Sequence, residues 1–250
     1  MVDVKMADAA ATKTPASGAP VLSVQNLEAW YGESHILHGI DFNVNAGEVV
    51  TLLGRNGAGK TTTLKSVMGI IDKRSGAIRF NDQDITRASS DKIARMGVAF
   101  CPEERGIFAS LDVRENLLLP PIVRSGGLTL DQIFELFPNL KERLNSQGTK
   151  LSGGEQQMLA IARILRTGAR FLMLDEPTEG LAPVIIQQIG QTIARLKSEG
   201  FTILLVEQNF RFASTVADRF YIVEHGKIID GFANSELQAN MDKLHTYLGV

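Results

Sequence analysis

The chain has 250 residues, 44% of them hydrophobic, which is enough for one large domain or two small ones with a substantial core. Its 26 basic and 28 acidic residues are spread evenly and give a formal net charge of −2, so the sequence has no basic stripe of the kind that binds a nucleic-acid backbone. Its apolar runs are far shorter than the roughly 20 residues that cross a bilayer, and a single cysteine, Cys101, excludes an internal disulfide. We expect a globular protein of a reducing compartment, with no nucleic-acid partner.

Residues 1–20 are rich in Ala, Thr, Ser and Pro, and they lack the basic start and apolar segment of a secretory signal. We predict that they form a disordered leader and that residues 21–250 form the folded part of the chain.

Short apolar runs alternate with longer periodic stretches from residue 21 onward, which indicates an α/β protein. The early runs predict strands in VLSVQNLEAWYG, FNVNAGEVVTLLG and AIRFNDQDI. Three later runs are almost wholly apolar and precede helical patterns, as in a parallel sheet buried on both faces: GVAFC, FLMLD and FTILLVE. The segment RFYIVEHGKIID predicts a hairpin with a His-Gly turn.

Helical periodicity is clearest over residues 183–199, where isoleucine and leucine recur every three or four positions. Strand-like runs stop between residues 102 and 150, and short helices are predicted in ENLLLPPIV and LDQIFELFPNLKERL. We therefore expect a helical insertion over about residues 102–165.

The segment GRNGAGKTT fits the phosphate-loop pattern G-x-x-x-x-G-K-[ST], with Gly54, Gly59, Lys60 and Thr61 at the fixed positions. It follows a predicted strand and precedes a predicted helix, which is the context that the pattern requires. Its glycines let successive N–H groups turn inward toward phosphate, and the helix N-terminus adds partial positive charge. Lys60 is then predicted to reach the β- and γ-phosphates of a nucleotide, and the Thr61 hydroxyl to bind Mg²⁺.

An acidic pair follows the strand FLMLD and supplies the second half of such a site. Asp175 is predicted to hold Mg²⁺, and Glu176 to act on the attacking water as a general base. A strand that ends in Asp-Glu also occurs as an ordinary helix cap, so this prediction depends on the phosphate loop.

A third motif, LSGGEQQ, places Ser152, Gly153 and Gly154 at the start of a helix whose apolar face includes Met158 and Ile161. A hydroxyl and backbone N–H groups at a positive helix end can cap an anion, although the same letters also form N-caps with no ligand.

These three motifs together resemble the ATP-binding-cassette (ABC) family, over nearly the whole chain from about residue 21 and in the family's order. The resemblance implies a P-loop NTPase (RecA-like) α/β core with a mostly parallel sheet, an N-terminal antiparallel β subdomain and an inserted helical subdomain. It implies ATP and Mg²⁺ as cofactors, an aromatic residue stacked on adenine, and an LSGG turn that binds the γ-phosphate held by the opposite subunit. The nucleotide contacts it implies are Tyr31, Gly54, Arg55, Asn56, Gly57, Ala58, Gly59, Lys60, Thr61, Thr62, Ser152, Gly153, Gly154 and Glu155.

Three positions depart from the commonest cassette pattern. Glu103 stands where the family usually has a glutamine that touches Mg²⁺, and we expect its carboxylate to bind the ion while adding negative charge near the γ-phosphate. Ala182 replaces an aspartate that couples the two sites of a dimer. Gln208 replaces the usual switch histidine, so its amide can donate to the γ-phosphate but cannot carry a proton. We expect Glu176 and Lys60 to sustain hydrolysis while Gln208 positions phosphate.

The segments DEPTEGLAP, VEQN and PEERGIF are similar to cassettes of branched-chain amino acid importers, the LivF type, and of relatives for other amino acids, amides and urea. The resemblance implies a peripheral ATPase subunit on the cytoplasmic face of the inner membrane. Its implied partners are a second cassette, either a different LivG-type chain or a second copy, two membrane permease subunits and, indirectly, a periplasmic binding protein. The helical insertion, with Glu103 and Arg105, would dock the membrane subunits.

Other functions stay open at this stage. They are a lipid or lipopolysaccharide exporter cassette, a catalytically weak structural partner, and a cassette protein that acts on DNA or ribosomes. This last class carries a coiled-coil insertion or two cassettes per chain, neither of which occurs in this sequence.

Overall fold

Two β-sheets organise the computed structural model, which describes residues 19–249. The predicted leader lies outside the described residues except for its last two positions. One sheet contains β1 Leu22–Tyr31, β2 Ser34–Val44, β4 Arg74–Phe80 and β5 Gln83–Asp84. The other contains β3 Val49–Leu53, β6 Val98–Cys101, β7 Phe171–Asp175, β8 Thr202–Glu207, β9 Arg219–Glu224 and β10 Lys227–Ala233.

The smaller sheet is antiparallel in the order β2-β1-β4-β5, and the larger is mixed in the order β10-β9-β3-β8-β7-β6. Strands β6, β7, β8, β3 and β9 run parallel to one another. Among the described strands of the larger sheet, only β10 is antiparallel, to β9. The predicted α/β core with a mostly parallel sheet, an N-terminal antiparallel sheet and a final hairpin is confirmed.

The helices within residues 19–249 are α1 Lys60–Val67, α2 Ser90–Arg95, α3 Val113–Leu118, α4 Leu130–Leu136, α5 Pro138–Glu142, α6 Gly153–Leu165, α7 Pro183–Ser198, α8 Phe210–Val216 and α9 Met241–Leu248. Short 3-10 helices occupy Gly148–Lys150, Asn234–Glu236 and Gln238–Asn240. Among these described helices, none combines the length and apolar character needed to cross a bilayer. The helix predicted over residues 183–199 is confirmed to within one residue.

Alternating side chains of the central strands divide the core into two layers. On β3, Val49 and Leu53 pack in one apolar cluster with the helices between β6 and β8, whereas Val50 and Leu52 pack with the antiparallel sheet and α1. Strands β3, β7 and β8 are buried at every residue, which explains their apolar runs. Because these strands are parallel, their carboxyl ends meet at one edge of the sheet.

The prediction of one strand over FNVNAGEVVTLLG is wrong. β2 ends at Val44 and β3 begins at Val49, and the two strands belong to different sheets. The break is a turn in which the Asn45 N–H donates to the Glu48 carboxylate at 3.0 Å and Gly47 has a φ of 73°. The first half of β2 was not predicted.

Four α-helices, α3 to α6, lie between β6 and β7, where the helical insertion was expected. α3 ends at Leu118, so the predicted helix over ENLLLPPIV is wrong in its second half. Pro120 and Pro121 lack the N–H groups needed to continue it. We retain residues 102–165 as the proposed extent of the insertion.

The His-Gly turn between β9 and β10 fixes the antiparallel sheet against the phosphate loop. His225 and Gly226 both have positive φ, 47° and 73°, as a tight two-residue hairpin turn requires. The Gly226 N–H donates to the Ala58 carbonyl at 2.9 Å, and the His38 N–H donates to the Gly226 carbonyl at 2.8 Å. A Cβ on Gly226 would overlap the carbonyl oxygen of Ile36.

We predict that Gly226→Ala lowers the free energy of unfolding by about 2 kcal/mol more than Gly200→Ala. Both glycines have positive φ, but a Cβ on Gly200 meets nothing within 4 Å. Denaturant unfolding of the two variants measures the difference. Equal losses would contradict the close packing of this turn.

Candidate nucleotide site

The phosphate loop connects β3 to α1, and its last glycine begins the helix. Gly59 is the N-cap of α1 with a φ of 104°, a conformation that residues with a Cβ rarely adopt. A Cβ at this position would lie 2.9 Å from Leu37 and 3.3 Å from the Cα of Gly226. The loop therefore has its predicted position at a helix N-terminus, held closely between β2 and the β9–β10 turn.

Lys60 lies at the centre of the site, and its residue is only 3% exposed. Its ammonium donates to the carbonyl oxygens of Gly54 at 2.8 Å and Arg55 at 3.0 Å. It also forms an ion pair with the Glu176 carboxylate at 3.0 Å. Three oxygens thus surround the buried ammonium of Lys60. A phosphate oxygen could replace one of them.

Thr61 and Asp175 form the oxygen-rich side of the site. The Thr61 hydroxyl donates to Asp175 Oδ1 at 3.0 Å, while Asp175 Oδ2 is buried and has no hydrogen-bond partner among the described residues. Burial is the main cause that raises the pKa of Asp175 to about 6, with a further contribution from the nearby charges of Glu176 and Glu103. A hydroxyl beside an unpartnered carboxylate oxygen fits Mg²⁺, which prefers oxygen ligands.

Glu176 follows β7 in a left-handed conformation, with a φ of 44°, and its N–H donates to the Val206 carbonyl at 2.9 Å. Its side chain lines a cavity of about 430 Å³. Burial, followed by the nearby Glu176 charge, raises the pKa of Glu179. The residues that line the cavity are Tyr31, Ile36, Asn56, Gly57, Gly59, Lys60, Thr61, Thr62, Glu103, Glu176 and Glu179.

The cavity brings together half of the residues predicted for the nucleotide. Gly54, Arg55 and Ala58 belong to the phosphate loop but do not line the cavity. Asp175 does not line it either, but it accepts a hydrogen bond from Thr61, which does. Tyr31 is 48% exposed, so its ring is accessible.

Sequence reasoning missed two residues of this cavity. Glu179 stands three positions after Glu176 in the same turn, a spacing that could have indicated it. Ile36 carries no motif, because it reaches the cavity from the part of β2 that was not predicted.

The LSGG turn lies outside the lining of this cavity, at the start of α6. Ser152 is the N-cap and is exposed, and a capping box joins it to Glu155: the Ser152 N–H donates to Glu155 at 2.8 Å and the Glu155 N–H donates to the Ser152 hydroxyl at 3.3 Å. Burial alone would raise the pKa of Glu155, but the hydrogen bonds from Ser152 and the charge of Arg143 lower it. The Glu155 carboxylate thus stabilises the cap, while exposure within the turn falls from Ser152, which is exposed, through Gly153, which is half-buried, to Gly154, which is buried.

Arg105 lies beside the LSGG turn. Its guanidinium donates to Gln156 Oε1 at 3.0 Å, and a Cβ on Gly153 would lie 3.4 Å from Arg105 Nη2. The Gln156 amide donates in turn to the carbonyls of Gly148 and Leu151. A positive charge therefore flanks the glycine that opens α6.

Gln208 is exposed immediately after β8 and does not line the cavity. The residue before it, Glu207, is 2% exposed. Burial raises the pKa of Glu207 to about 7, against the lowering effect of its hydrogen bonds from Thr178 and Asn209.

A strand, a glycine-rich loop with a buried lysine, and a second parallel strand of the same sheet that leads into Asp-Glu define a P-loop nucleoside triphosphatase. The family model described as "ABC transporter" matches residues 37–179. The chain belongs to this family of ATP-binding cassettes, whose members hydrolyse ATP.

Two relatives and one solved structure show how far the similarity extends. The chain is 41% identical over 232 residues to the high-affinity branched-chain amino acid transport ATP-binding protein BraG of Pseudomonas aeruginosa, covering 92% of this chain and 100% of the relative. It is 34% identical over 233 residues to the lipopolysaccharide export system ATP-binding protein LptB of Escherichia coli K12, covering 91% and 97%. A nucleotide-free ATP-binding cassette from an ABC transporter has the same fold, with a TM-score of 0.80 at 24% identity over 93% of this chain and 99% of that one. The resemblance to cassettes for branched-chain amino acid transport is confirmed.

We predict that Glu207→Gln makes the protein more stable at pH 8 than the wild type. The pKa of Glu207 rises from 4.5 to about 7 on folding, so between these values the unfolded chain loses its proton first and the free energy of unfolding falls as the pH rises. This decrease in the free energy of unfolding is complete above the pKa that Glu207 has in the folded protein, and it amounts to at most about 3 kcal/mol. Denaturant unfolding at pH 5 and pH 8 measures it, and parallel pH dependence of the two proteins would contradict the assignment.

Proposed function

We propose that this chain is the ATP-binding and hydrolysing subunit of an ABC importer for branched-chain or related amino acids. The observation that carries the proposal is the 41% identity to BraG along the whole of that relative. The cavity at the carboxyl ends of β3 and β7 supplies a site for the nucleotide that drives transport.

In this proposal ATP lies with its adenine on the exposed ring of Tyr31 and its phosphates along the loop of residues 54–59 and the N-terminus of α1. The Lys60 ammonium contacts the β- and γ-phosphates, and Thr62 lines the cavity beside it. Thr61, Asp175 and Glu103 would hold Mg²⁺, which neutralises charge on the phosphates when bound.

Glu176 orients the attacking water and accepts its proton. In the structure described here its carboxylate is paired with Lys60. A γ-phosphate that takes over the Lys60 ammonium would release this carboxylate toward the water, so phosphate binding and activation of the base are linked. Gln208, at the end of the adjacent strand, would donate its amide N–H to the γ-phosphate.

The LSGG turn is proposed to complete the site of a second cassette, either a LivG-type chain or another copy. Ser152, Gly153 and Gly154 lie outside the lining of this chain's own cavity, and Ser152 is exposed. Such a turn presents a hydroxyl and helix-terminal N–H groups to an approaching phosphate. Two cassettes would then enclose two nucleotides head to tail.

Two membrane permease subunits are proposed to dock on an apolar groove between the core and the helical insertion. The groove has a volume of about 310 Å³ and is lined by residues that include Met68, Ile70, Phe100, Pro121 and Ile164. Leu118 at the end of α3 and Leu119 and Ile122 after it are also exposed, as expected of a surface that receives a partner. The chain would thereby be peripheral, on the cytoplasmic face of the inner membrane, with the periplasmic binding protein reached only through the permease.

An exporter cassette is the second candidate, favoured by the 34% identity to LptB over 97% of that relative. A urea or amide importer also remains compatible with the motifs. A weakly hydrolysing partner subunit is a further possibility, since Gln208 and Ala182 stand at the switch and coupling positions.

We predict that deleting the gene abolishes most high-affinity uptake of labelled leucine, isoleucine and valine by the cells that carry it, and that the wild-type gene restores it. Unchanged uptake of all three with altered surface lipopolysaccharide would favour the exporter. Unchanged amino-acid uptake with lost urea uptake would favour the amide class.

We predict that Glu176→Gln lowers kcat for phosphate release from the purified cassette complex by about 100-fold or more, because the amide cannot accept the proton of water. Binding of labelled MgATP should be retained. Glu199→Gln, which removes a carboxylate from an exposed ion pair with Arg195 at 3.1 Å, is the matched control and should leave turnover unchanged. A Glu176→Gln complex that hydrolyses at the wild-type rate would contradict the role of Glu176.

A further inference from the structure

The side chain of Glu207 joins two loops that border the nucleotide site. Its residue is 2% exposed and forms the last position of β8, between β3 and β7. One carboxylate oxygen accepts a hydrogen bond from the Thr178 hydroxyl at 2.8 Å, and the other accepts from the Asn209 backbone N–H at 3.2 Å. The carboxylate therefore bridges the segment after β7 to the segment after β8.

The first of these segments carries the proposed base. Thr178 stands two residues after Glu176, and the turn is closed by the Glu179 N–H, which donates to the Glu176 carbonyl at 3.2 Å. Glu176 itself is held in a left-handed conformation. The hydroxyl of Thr178 is thus an anchor for the turn that sets the direction of the Glu176 side chain.

The second segment carries the residue proposed to contact the γ-phosphate. Gln208 lies between Glu207 and Asn209, and the Asn209 side chain caps α8 by accepting from the Phe212 N–H at 3.1 Å. The backbone carbonyl of Glu207 also accepts from the N–H of Gly54 at 3.4 Å, the first residue of the phosphate loop. Glu207 therefore contacts all three segments that follow the central strands.

Stability does not account for a carboxyl group in this place. Its burial raises the pKa of Glu207 to about 7, which means that ionising it costs folding free energy. The ionised side chain of Glu207 thus lowers stability, yet its two hydrogen bonds hold two loops in place. Its contribution is to the geometry of these loops.

We propose that Glu207 is a positioning residue for ATP hydrolysis, whose carboxylate holds the Glu176–Glu179 turn and the Gln208 segment at a fixed separation so that both act on one γ-phosphate. This inference rests on the proposed function of Glu176 and Gln208. It concerns orientation, since the carboxylate of Glu207 accepts its hydrogen bonds from Thr178 and Asn209 and the residue does not line the cavity.

Each oxygen of the carboxylate makes one of the two hydrogen bonds of this bridge. The Thr178 hydroxyl can accept as well as donate, so the amide of Glu207→Gln can still accept from the Asn209 N–H and donate to Thr178. Glu207→Met keeps a side chain of similar length but has no oxygen, so it leaves the Thr178 hydroxyl and the Asn209 N–H without this acceptor. Loosened loops would misplace the base and lower kcat while the phosphate loop still binds nucleotide.

The test compares kcat and KM for MgATP at pH 8 in the purified cassette complex for Glu207→Met, Thr178→Val and Thr178→Ser. We expect kcat to fall about 10- to 100-fold in the first two, with KM within about twofold of the wild type. Thr178→Ser keeps the hydroxyl and should retain kcat within about twofold. Thr192→Val is the matched control, because it removes a buried hydroxyl that donates to Gln188 on α7, away from the site.

Several outcomes would overturn this proposal. They are wild-type kcat in both Glu207→Met and Thr178→Val, an equal loss of kcat in Thr178→Ser and Thr178→Val, or a change in KM with wild-type kcat. Melting temperatures at pH 8 separate misfolding from misplacement, since a variant that still unfolds cooperatively above the assay temperature is folded and its lower kcat reports misplacement. Glu176→Gln is assayed alongside: if it alone is inactive, only the positioning role fails, and if it is fully active, the proposed function of the site fails as well.

Discussion

The buried ammonium of Lys60 is the interaction on which the site depends. A charge with 3% exposure is tolerated only when nearby groups compensate it, and here two loop carbonyls and the Glu176 carboxylate do so. Removing any one of these partners would leave the ammonium under-coordinated. The same arrangement makes the lysine a strong attractor for phosphate, because the surrounding protein screens the charge less than water does.

This interaction requires three strands to end at one edge. β3 leads into the phosphate loop, β7 into Asp175 and Glu176, and β8 into Gln208, and all three are parallel neighbours. Hydrogen bonds between the segments maintain their spacing: Thr61 donates to Asp175, and Glu207 accepts from Thr178 and Asn209. The acidic residues of this edge are costly to bury, and the raised pKa values of Asp175 and Glu207 record that cost.

A second consequence of the fold is the separation between the cavity and the LSGG turn. The turn opens α6, which packs its apolar face, including Met158 and Ile161, into the core. Gly154 lies so close to Ile185 that a Cβ would be 2.9 Å from it, so α6 and α7 approach closely there. Gly154 is therefore buried against α7, while Ser152 at the start of the turn stays exposed and accessible to the second cassette that we propose.

The sequence allowed the phosphate loop, the acidic pair and the buried parallel strands to be predicted, since each depends on local spacing or on a continuous apolar run. Long-range packing could not be predicted in the same way. β2 was missed in its first half because it is partly exposed and lacks a continuous apolar run, and with it Ile36. The bridge made by Glu207 could not be predicted, because one of its two partners, Thr178, is 29 residues away along the chain, although the other, Asn209, is only two residues away.

In the proposed complex, a nucleotide is held between Lys60 of one cassette and the LSGG turn of another. The most direct measurement is sedimentation of the Glu176→Gln chain, alone and with its companion cassette, with and without MgATP, in parallel with a form that also carries Gly153→Asp. We predict nucleotide-dependent association that Gly153→Asp abolishes, because the added carboxylate repels the γ-phosphate. The proposed complex would be contradicted if the Glu176→Gln chain did not associate in MgATP either alone or with its companion cassette, or if association survived Gly153→Asp.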